Sequence, residues 1–175
     1  MIRHLTPQDV LPLKDVFFQS FSQDEAPVTY DLMMKIISQE THPASLCLGY
    51  DVDGALQGAV GFTPVYLGKG VDVTAYILAP LAVHSARQGQ GIATELVTHA
   101  KQTLSEQGID ALLVYGDPNY YGRHGFTVDM GQKFVPPYPL EFDFGWQAMM
   151  LNSNKIIDEA YQFTCVEALS DPALW

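Results

Sequence analysis

The chain has 175 residues, 47% of them hydrophobic and 17% charged, the balance of a globular protein with one substantial core and not of a disordered one. Nine basic against twenty acidic residues leave a net charge of −11, which argues against nucleic-acid binding, because that needs a basic face. No apolar run approaches membrane-spanning length, so no membrane association is expected, and residues 1–175 are expected to form a single domain.

The start, Met1-Ile2-Arg3-His4, has no signal-peptide core, and Pro7 and Asp9 follow soon after. Ile2 to Leu5 is predicted as a short first strand. Thr6-Pro7-Gln8-Asp9 has the form of a helix start, with a capping Thr and Pro at the first position. Val10, Leu13, Phe17 and Phe21 recur at helical spacing and define its buried face, with Pro12 either kinking the helix or moving its start downstream. Ser20 to Pro27 is predicted as a loop carrying Asp24 and Glu25. A second helix follows from Val28 to Gln39, burying Leu32, Met33, Ile36 and Ile37. Ser45 to Val52 and Ala55 to about Leu67 read as a hairpin turned at Asp53-Gly54, with Gly58 and Gly61 marking a bulge or bend. A further strand is predicted from Val71 to Val83, although Pro80 within it cannot donate a ladder hydrogen bond. Cys47 and Cys165, the only cysteines, sit among apolar residues. Neither has a Cys or His at metal-ligand spacing, so both read as buried thiols of a reducing compartment, the cytoplasm, and no metal is expected.

The stretch Ile77 to Leu104 organises the rest. An apolar strand turns through His84-Ser85-Ala86-Arg87 into Gln88-Gly89-Gln90-Gly91-Ile92-Ala93, and a helix opens there. Bare backbone N–H groups and the positive end of the helix dipole suit a phosphate, and glycines let it approach closely. The Walker A pattern needs Lys-Ser or Lys-Thr after its last Gly, where Ile92-Ala93 stands, and the dinucleotide fingerprint needs a third glycine. The helix buries Ile92, Leu96, Val97, Ala100 and Leu104 on one face, with Gly108 as its C-terminal cap. Ala111 to Tyr115 is then a buried strand parallel to the one before the helix.

What this stretch resembles is the acyl-CoA pyrophosphate loop of the GNAT N-acetyltransferase superfamily. That loop reads Gln or Arg, two residues, Gly, one residue, then Gly or Ala, and Gln88, Gly91 and Ala93 fill those places. The segment Gly116-Asp117-Pro118-Asn119-Tyr120-Tyr121-Gly122-Arg123-His124-Gly125-Phe126 resembles the family's end segment, in which a Tyr on a short helix stands four residues before a Gly-Phe pair that opens the next strand. The double Tyr and Gly-Arg-His-Gly-Phe resemble one bacterial branch of it. The sequence departs from the family where many members carry a cofactor-contacting Asn seven residues before the Tyr. Val114 holds that place here, with Asp117 and Asn119 the nearest polar alternatives. The specific resemblance covers residues 77–128.

The resemblance implies an α/β domain of α+β type, with a mixed, mostly antiparallel sheet, helices on both faces and a splayed central strand pair. It implies acetyl-CoA as cosubstrate. Pyrophosphate would lie on the backbone of Gln88, Gly89, Gln90, Gly91, Ile92 and Ala93. The pantetheine arm would pair with backbone at Leu81, Ala82 and Val83, and Asn119 would lie against the cofactor. It implies N-acetyl transfer to a primary amine, of a small molecule or a peptide, by direct attack. A non-catalytic acyl-CoA-binding module is the alternative. Tyr121 would be the acid that protonates the departing thiolate, with the adjacent Tyr120 as the other candidate. Backbone N–H groups near Leu81 to Val83 would hold the oxyanion. The base stays open among Asp24, Glu25, Asp117, His84 and a water relay, with Asp72 expected too far away. The acidic net charge serves solubility or attracts a cationic amine.

The segment Asp129 to Gly145, rich in Pro and aromatics, reads as a long irregular loop, either a wall of the substrate site or a cover over a sheet edge. Trp146 to Leu151 and Tyr161 to Ala168 are predicted strands. Asp171 to Trp175 is a tail whose Trp175 docks either on its own domain or on the second subunit of a homodimer.

Overall fold

The first strand, β1 (Ile2–His4), pairs antiparallel with β2 (Leu46–Val52) in a computed structural model that describes residues 1–175. Between them lie α1 (Val10–Ser20) and α2 (Glu25–Ser38). The strand β3 (Ala55–Leu67), β4 (Ala75–Val83), the helix α3 (Ile92–Glu106) and β5 (Ala111–Tyr115) follow. The helical turns α4 (Pro118–Tyr121) and α5 (Val128–Gly131) lead to β6 (Phe134–Val135), β7 (Trp146–Met150) and β8 (Tyr161–Cys165). The strands form one mixed, mostly antiparallel sheet of eight, ordered β1-β2-β3-β4-β5-β7, with β8 pairing β3 and β6. The pairing of β4 with β5 is parallel. Contacts divide the chain into two compact units, Met1–Phe62 with Ala79–Ala100, and Thr63–Leu78 with Lys101–Trp175.

In the first unit a 3-10 turn, Pro7–Asp9, precedes α1. The Asp9 carboxylate accepts from the Thr6 N–H at 2.8 Å and from Arg3 Nη2 at 2.8 Å, which fixes the entry to the helix. Pro12 falls in the first turn of α1, where its missing N–H costs no intrahelical bond, and no kink is needed. Leu13, Val16 and Phe17 are the buried face. Val10, expected inside, is exposed because the chain is still leaving the 3-10 turn there. The second helix starts earlier than its periodicity implied. Ser22 Oγ donates to Glu25 Oε2 at 2.7 Å, and the Glu25 N–H returns to Ser22 Oγ at 3.3 Å, a capping box that recruits the expected loop into the helix. Leu32, Met33 and Ile36 are buried, and Ile37 lies at the margin.

The β2–β3 hairpin turns at Asp53 and Gly54, both with positive φ (51° and 82°), the geometry of a type I′ turn. Its register slips between Tyr50 and Asp51, opposite Gly58 and Leu56, so Gln57 is the extra residue of a bulge. The freed Gln57 carbonyl accepts from the His84 N–H at 2.9 Å. Gly61 has no room for a side chain: a Cβ there would stand 2.8 Å from the Ala79 carbonyl oxygen.

In the second unit the parallel ladder runs from Ala75↔Ala111 to Leu78↔Val114 and stops there, although β4 continues to Val83. The strand begins at Ala75 and not at Val71; residues 68–74 are a turn and coil, because β5 offers a partner only from Ala111 onward. Gly125-Phe126 opens no strand. Thr127 makes a single bridge to Ala148, and its hydroxyl then accepts from the Met130 N–H at 3.2 Å, capping α5. The Pro-rich stretch is partly ordered by β6, whose Phe134 and Val135 pair with β8. The last predicted strand ends at Cys165, and a 3-10 turn, Glu167–Leu169, replaces its end. Trp175 docks on its own chain. Its Nε1 donates to the Leu169 carbonyl at 3.0 Å, and its ring lies 5.9 Å from Trp146 and 6.1 Å from Tyr138. No helix is long and apolar enough to cross a membrane.

Candidate active site

The strand β4 delivers Leu81, Ala82 and Val83 to the edge of a loop held by its own side chains. The Val83 N–H donates to Ser20 Oγ at 3.3 Å, and the Val83 carbonyl accepts from Gln88 Nε2 at 3.1 Å. The Gln90 amide reaches back to the Ala86 carbonyl at 3.2 Å, and His84 Nδ1 accepts from the Ala86 N–H at 3.2 Å. Gln88 and Gln90 therefore brace the loop with their side chains and leave its backbone to face outward. Gly89 and Gly91 have positive φ, 73° and 89°, with open space where a Cβ would stand. The first intrahelical donor of α3 is the Glu95 N–H, to the Gly91 carbonyl at 3.0 Å. The amides of Ile92, Ala93 and Thr94 thus precede the helix's own ladder, at the positive end of its dipole. Gln88, Gly89, Gln90 and Gly91 are solvent-exposed. The residues expected to bind pyrophosphate, Gln88 to Ala93, make up this loop, and free backbone N–H groups at a helix start are donors that can take an anion. The expected buried face of α3 is realised in full, from Ile92 to Leu104. Gly58, on β3, gives that helix its seat, since a Cβ there would stand 2.7 Å from Ile92 Cγ2.

Tyr121 lies at the end of α4, in the second unit. Asp117 Oδ1 caps this turn by accepting from the Asn119 N–H at 2.9 Å, which leaves Asn119 exposed at the surface. The Tyr121 ring packs edge-on against Phe126 at 5.8 Å and against Tyr120 at 5.0 Å. It fits only because residue 116 is glycine: a Cβ there would lie 2.5 Å from Tyr121 Cε2. Sequence reasoning missed Gly116 as a site-shaping residue, and its signal was a glycine directly after β5. Burial, reinforced by Tyr120, pushes the Tyr121 hydroxyl well above its ordinary value, so it stays protonated at neutral pH. The neighbouring Tyr120 is engaged differently, under the Arg123 guanidinium at 5.1 Å and beside His124 at 5.1 Å.

Three of the candidate bases, Glu25, Asp117 and His84, hold structural contacts. The Glu25 carboxylate belongs to the capping box, and Asp117 to the cap of α4. His84 Nε2 lies 3.7 Å from Asp15 Oδ2, while Asp72 is paired with Lys155 Nζ at 2.6 Å. Asp24 is exposed at the start of α2. His124 is buried, and burial, with Lys101 and Arg123 nearby, lowers its pKa, so its imidazole is neutral. Burial pushes the Cys47 and Cys165 thiols up to about 12 each, and Cys165 is only half-buried, where full burial was expected. Val114, at the place of the family's Asn, is fully buried in β5. No group of three or more His, Cys, Asp or Glu residues could hold a metal ion.

The model of the acetyltransferase (GNAT) family matches residues 10–126, more than half of the chain. The chain belongs to the GNAT family. Its relatives include the uncharacterized N-acetyltransferase YhbS of Escherichia coli K12, 35% identical over 132 residues that span 73% of this chain and 74% of YhbS. YjhQ of the same organism, also an uncharacterized N-acetyltransferase, is 30% identical over 140 residues, 78% of this chain and 76% of YjhQ. Among solved structures, GNAT protein YhbS in complex with CoA superposes with a TM-score of 0.79 at 28% identity, covering 98% of this chain and 92% of that one. A GNAT acetyltransferase of Brucella melitensis, solved with acetyl-CoA, shares the fold, with a TM-score of 0.69 at 24% identity over 96% of both chains. GNAT membership places the left-handed glycines of this loop in a fold whose relative YhbS was crystallised with CoA.

Proposed function

We propose that this chain is an acetyl-CoA-dependent N-acetyltransferase that acts on a primary amine by direct attack. The observation that carries the reading is the loop Gln88–Ala93, with two open left-handed glycines and helix amides not yet claimed by the ladder. Its backbone takes the pyrophosphate. Leu81–Val83 pair with the pantetheine arm, and a backbone amide of Leu81 or Ala82 serves the oxyanion, the Val83 amide already being bonded to Ser20. Asn119, exposed beside the cap of α4, contacts the cofactor.

The chemistry has to balance. An alkyl ammonium, with a pKa near about 10, first loses a proton to water. The amine nitrogen attacks the thioester carbonyl carbon and forms the C–N bond. Collapse of the oxyanion breaks the C–S bond, and Tyr121 gives its phenolic proton to the departing thiolate. The nitrogen's surplus proton restores the phenol, so acetyl-CoA and an ammonium yield amide, CoA thiol and one proton. Direct attack is favoured over an acetyl-cysteine intermediate because both thiols are held protonated.

Thiol release from acetyl-CoA in the presence of a panel of primary amines tests the reading, with mass spectrometry of the acetylated product. Amine-dependent release supports it. Cofactor binding without transfer to any amine would leave a non-catalytic acyl-CoA-binding module instead.

A further inference from the structure

At the C-terminal end of β5 the second unit holds a cavity of about 470 Å³. Its walls include Gly116, Asp117, Glu141, Phe142, Phe144 and Trp175, and no Lys, Arg or His lines it. The walls are fixed by hydrogen bonds. Tyr115 Oη accepts from the Phe142 N–H at 2.8 Å, the Gly116 N–H donates to the Gly145 carbonyl at 2.9 Å, and Gln147 Nε2 donates to the Gly116 carbonyl at 3.2 Å. Trp175 is anchored through Leu169. Phe142 and Phe144 nonetheless stay 50% and 64% exposed, with their rings 5.6 Å apart. Large apolar rings held in solvent beside a cavity mark a binding surface. One wall of this cavity, Gly116, is the glycine against which the Tyr121 ring packs.

Resting on the acetyltransferase reading, we propose that this cavity takes the acceptor, and that the acceptor is a cationic amine on an aromatic or apolar group with no carboxylate beside the amine. Asp117 and Glu141 attract the ammonium, and the rings of Phe142, Phe144 and Trp175 take the apolar group, with cation–π attraction available to the approaching charge. An amino acid carries a carboxylate, and the cavity offers that group no positive partner and two negative neighbours.

Tryptamine, tryptophan and ethylamine separate these demands. They share a primary amine, tryptophan adds the carboxylate, and ethylamine lacks the ring. With saturating acetyl-CoA, kcat/KM for tryptamine is expected to exceed that for each of the others by roughly tenfold or more. Glu141→Gln, at an exposed position, should raise the KM for tryptamine roughly fivefold, the scale of one partly screened charge pair. Phe144→Ala should raise it several-fold more for tryptamine than for ethylamine, which has no ring to lose contact with. Acetyl-CoA affinity, measured calorimetrically on each protein, should not move. Equal efficiency on tryptamine and tryptophan, unchanged KM in both variants, or no transfer to tryptamine by a protein that binds acetyl-CoA would overturn the acceptor assignment and leave cofactor binding intact. Absence of acetyl-CoA binding would overturn the acetyltransferase reading, and the acceptor assignment with it.

Discussion

A tyrosine that is to protonate a thiolate must arrive neutral and must be held in place by something other than its hydroxyl. Tyr121 meets both demands: burial keeps the phenol protonated, and Phe126, Tyr120 and the missing side chain of Gly116 fix the ring. Tyr121→Phe keeps all the ring packing and removes only the proton. It should lower kcat by about 100-fold, the usual worth of a placed general acid, with acetyl-CoA affinity unchanged. Turnover equal to that of the parent protein would remove Tyr121 from the chemistry. Asp9 is a second residue whose role is read at this scale. The Arg3 hydrogen bonds hold its carboxyl below its ordinary 3.8, with the Thr6 amide and hydroxyl adding to the effect. A carboxyl with a lowered native pKa stabilises the fold fully above its ordinary value, and the contribution is lost as pH falls through the native one. Asp9→Asn should therefore cost about 1–3 kcal/mol at pH 7, measured by denaturant unfolding, with a smaller difference at pH 3. An equal cost at both pH values would mean that packing, not charge, is what the substitution removes.

The proposed phosphate loop is a property of an element boundary more than of any one side chain. Gln88 and Gln90 bond back to the Val83 and Ala86 carbonyls and brace it, and Gly89 and Gly91 adopt a left-handed backbone ahead of α3. Gly91→Glu puts a side chain at φ 89° and a negative charge where phosphate would sit. It should weaken acetyl-CoA at least about tenfold, a loss of roughly 1.4 kcal/mol in a binding titration, while circular dichroism keeps the helix signal. Normal affinity would refute the loop assignment. The same boundaries show which elements the sequence discloses. The buried face of α3 is legible because five apolar residues keep strict helical spacing up to a glycine cap, and Gly108 does carry φ 80°. The start of α2 is not legible from apolar periodicity, since polar Ser22 and Glu25 set it through the capping box. The segment after Gly125-Phe126 departs from expectation for a similar reason: the Thr127 hydroxyl caps a helical turn where the family resemblance implied a strand.

For the molecule as a whole, the two halves of the proposed chemistry differ in how far sequence reveals them. The cofactor loop and Tyr121 fall within residues 10–126, the span of the family match, and each is a local pattern of glycines and aromatics. The acceptor cavity draws on residues near 116, 142 and 174, which only folding brings together, and much of its wall lies beyond residue 126. Its Phe142 and Phe144, with Glu141 beside them, fall in the stretch read from sequence as a wall or a cover, but Asp117 is joined to them only through the hydrogen bonds of Tyr115 and Gly116. The net charge of −11 is consistent with a cationic acceptor, and it leaves cofactor binding to locally presented backbone donors. Whether those donors hold CoA is the claim on which everything else stands. The most direct measurement is a calorimetric titration of the purified protein with acetyl-CoA, with ATP and NAD as controls. Saturable binding of acetyl-CoA, much tighter than that of either control, is the expected result. No heat of binding, or equal affinity for all three, would mean that Gly89 and Gly91 serve only the turn, and would contradict the assignment.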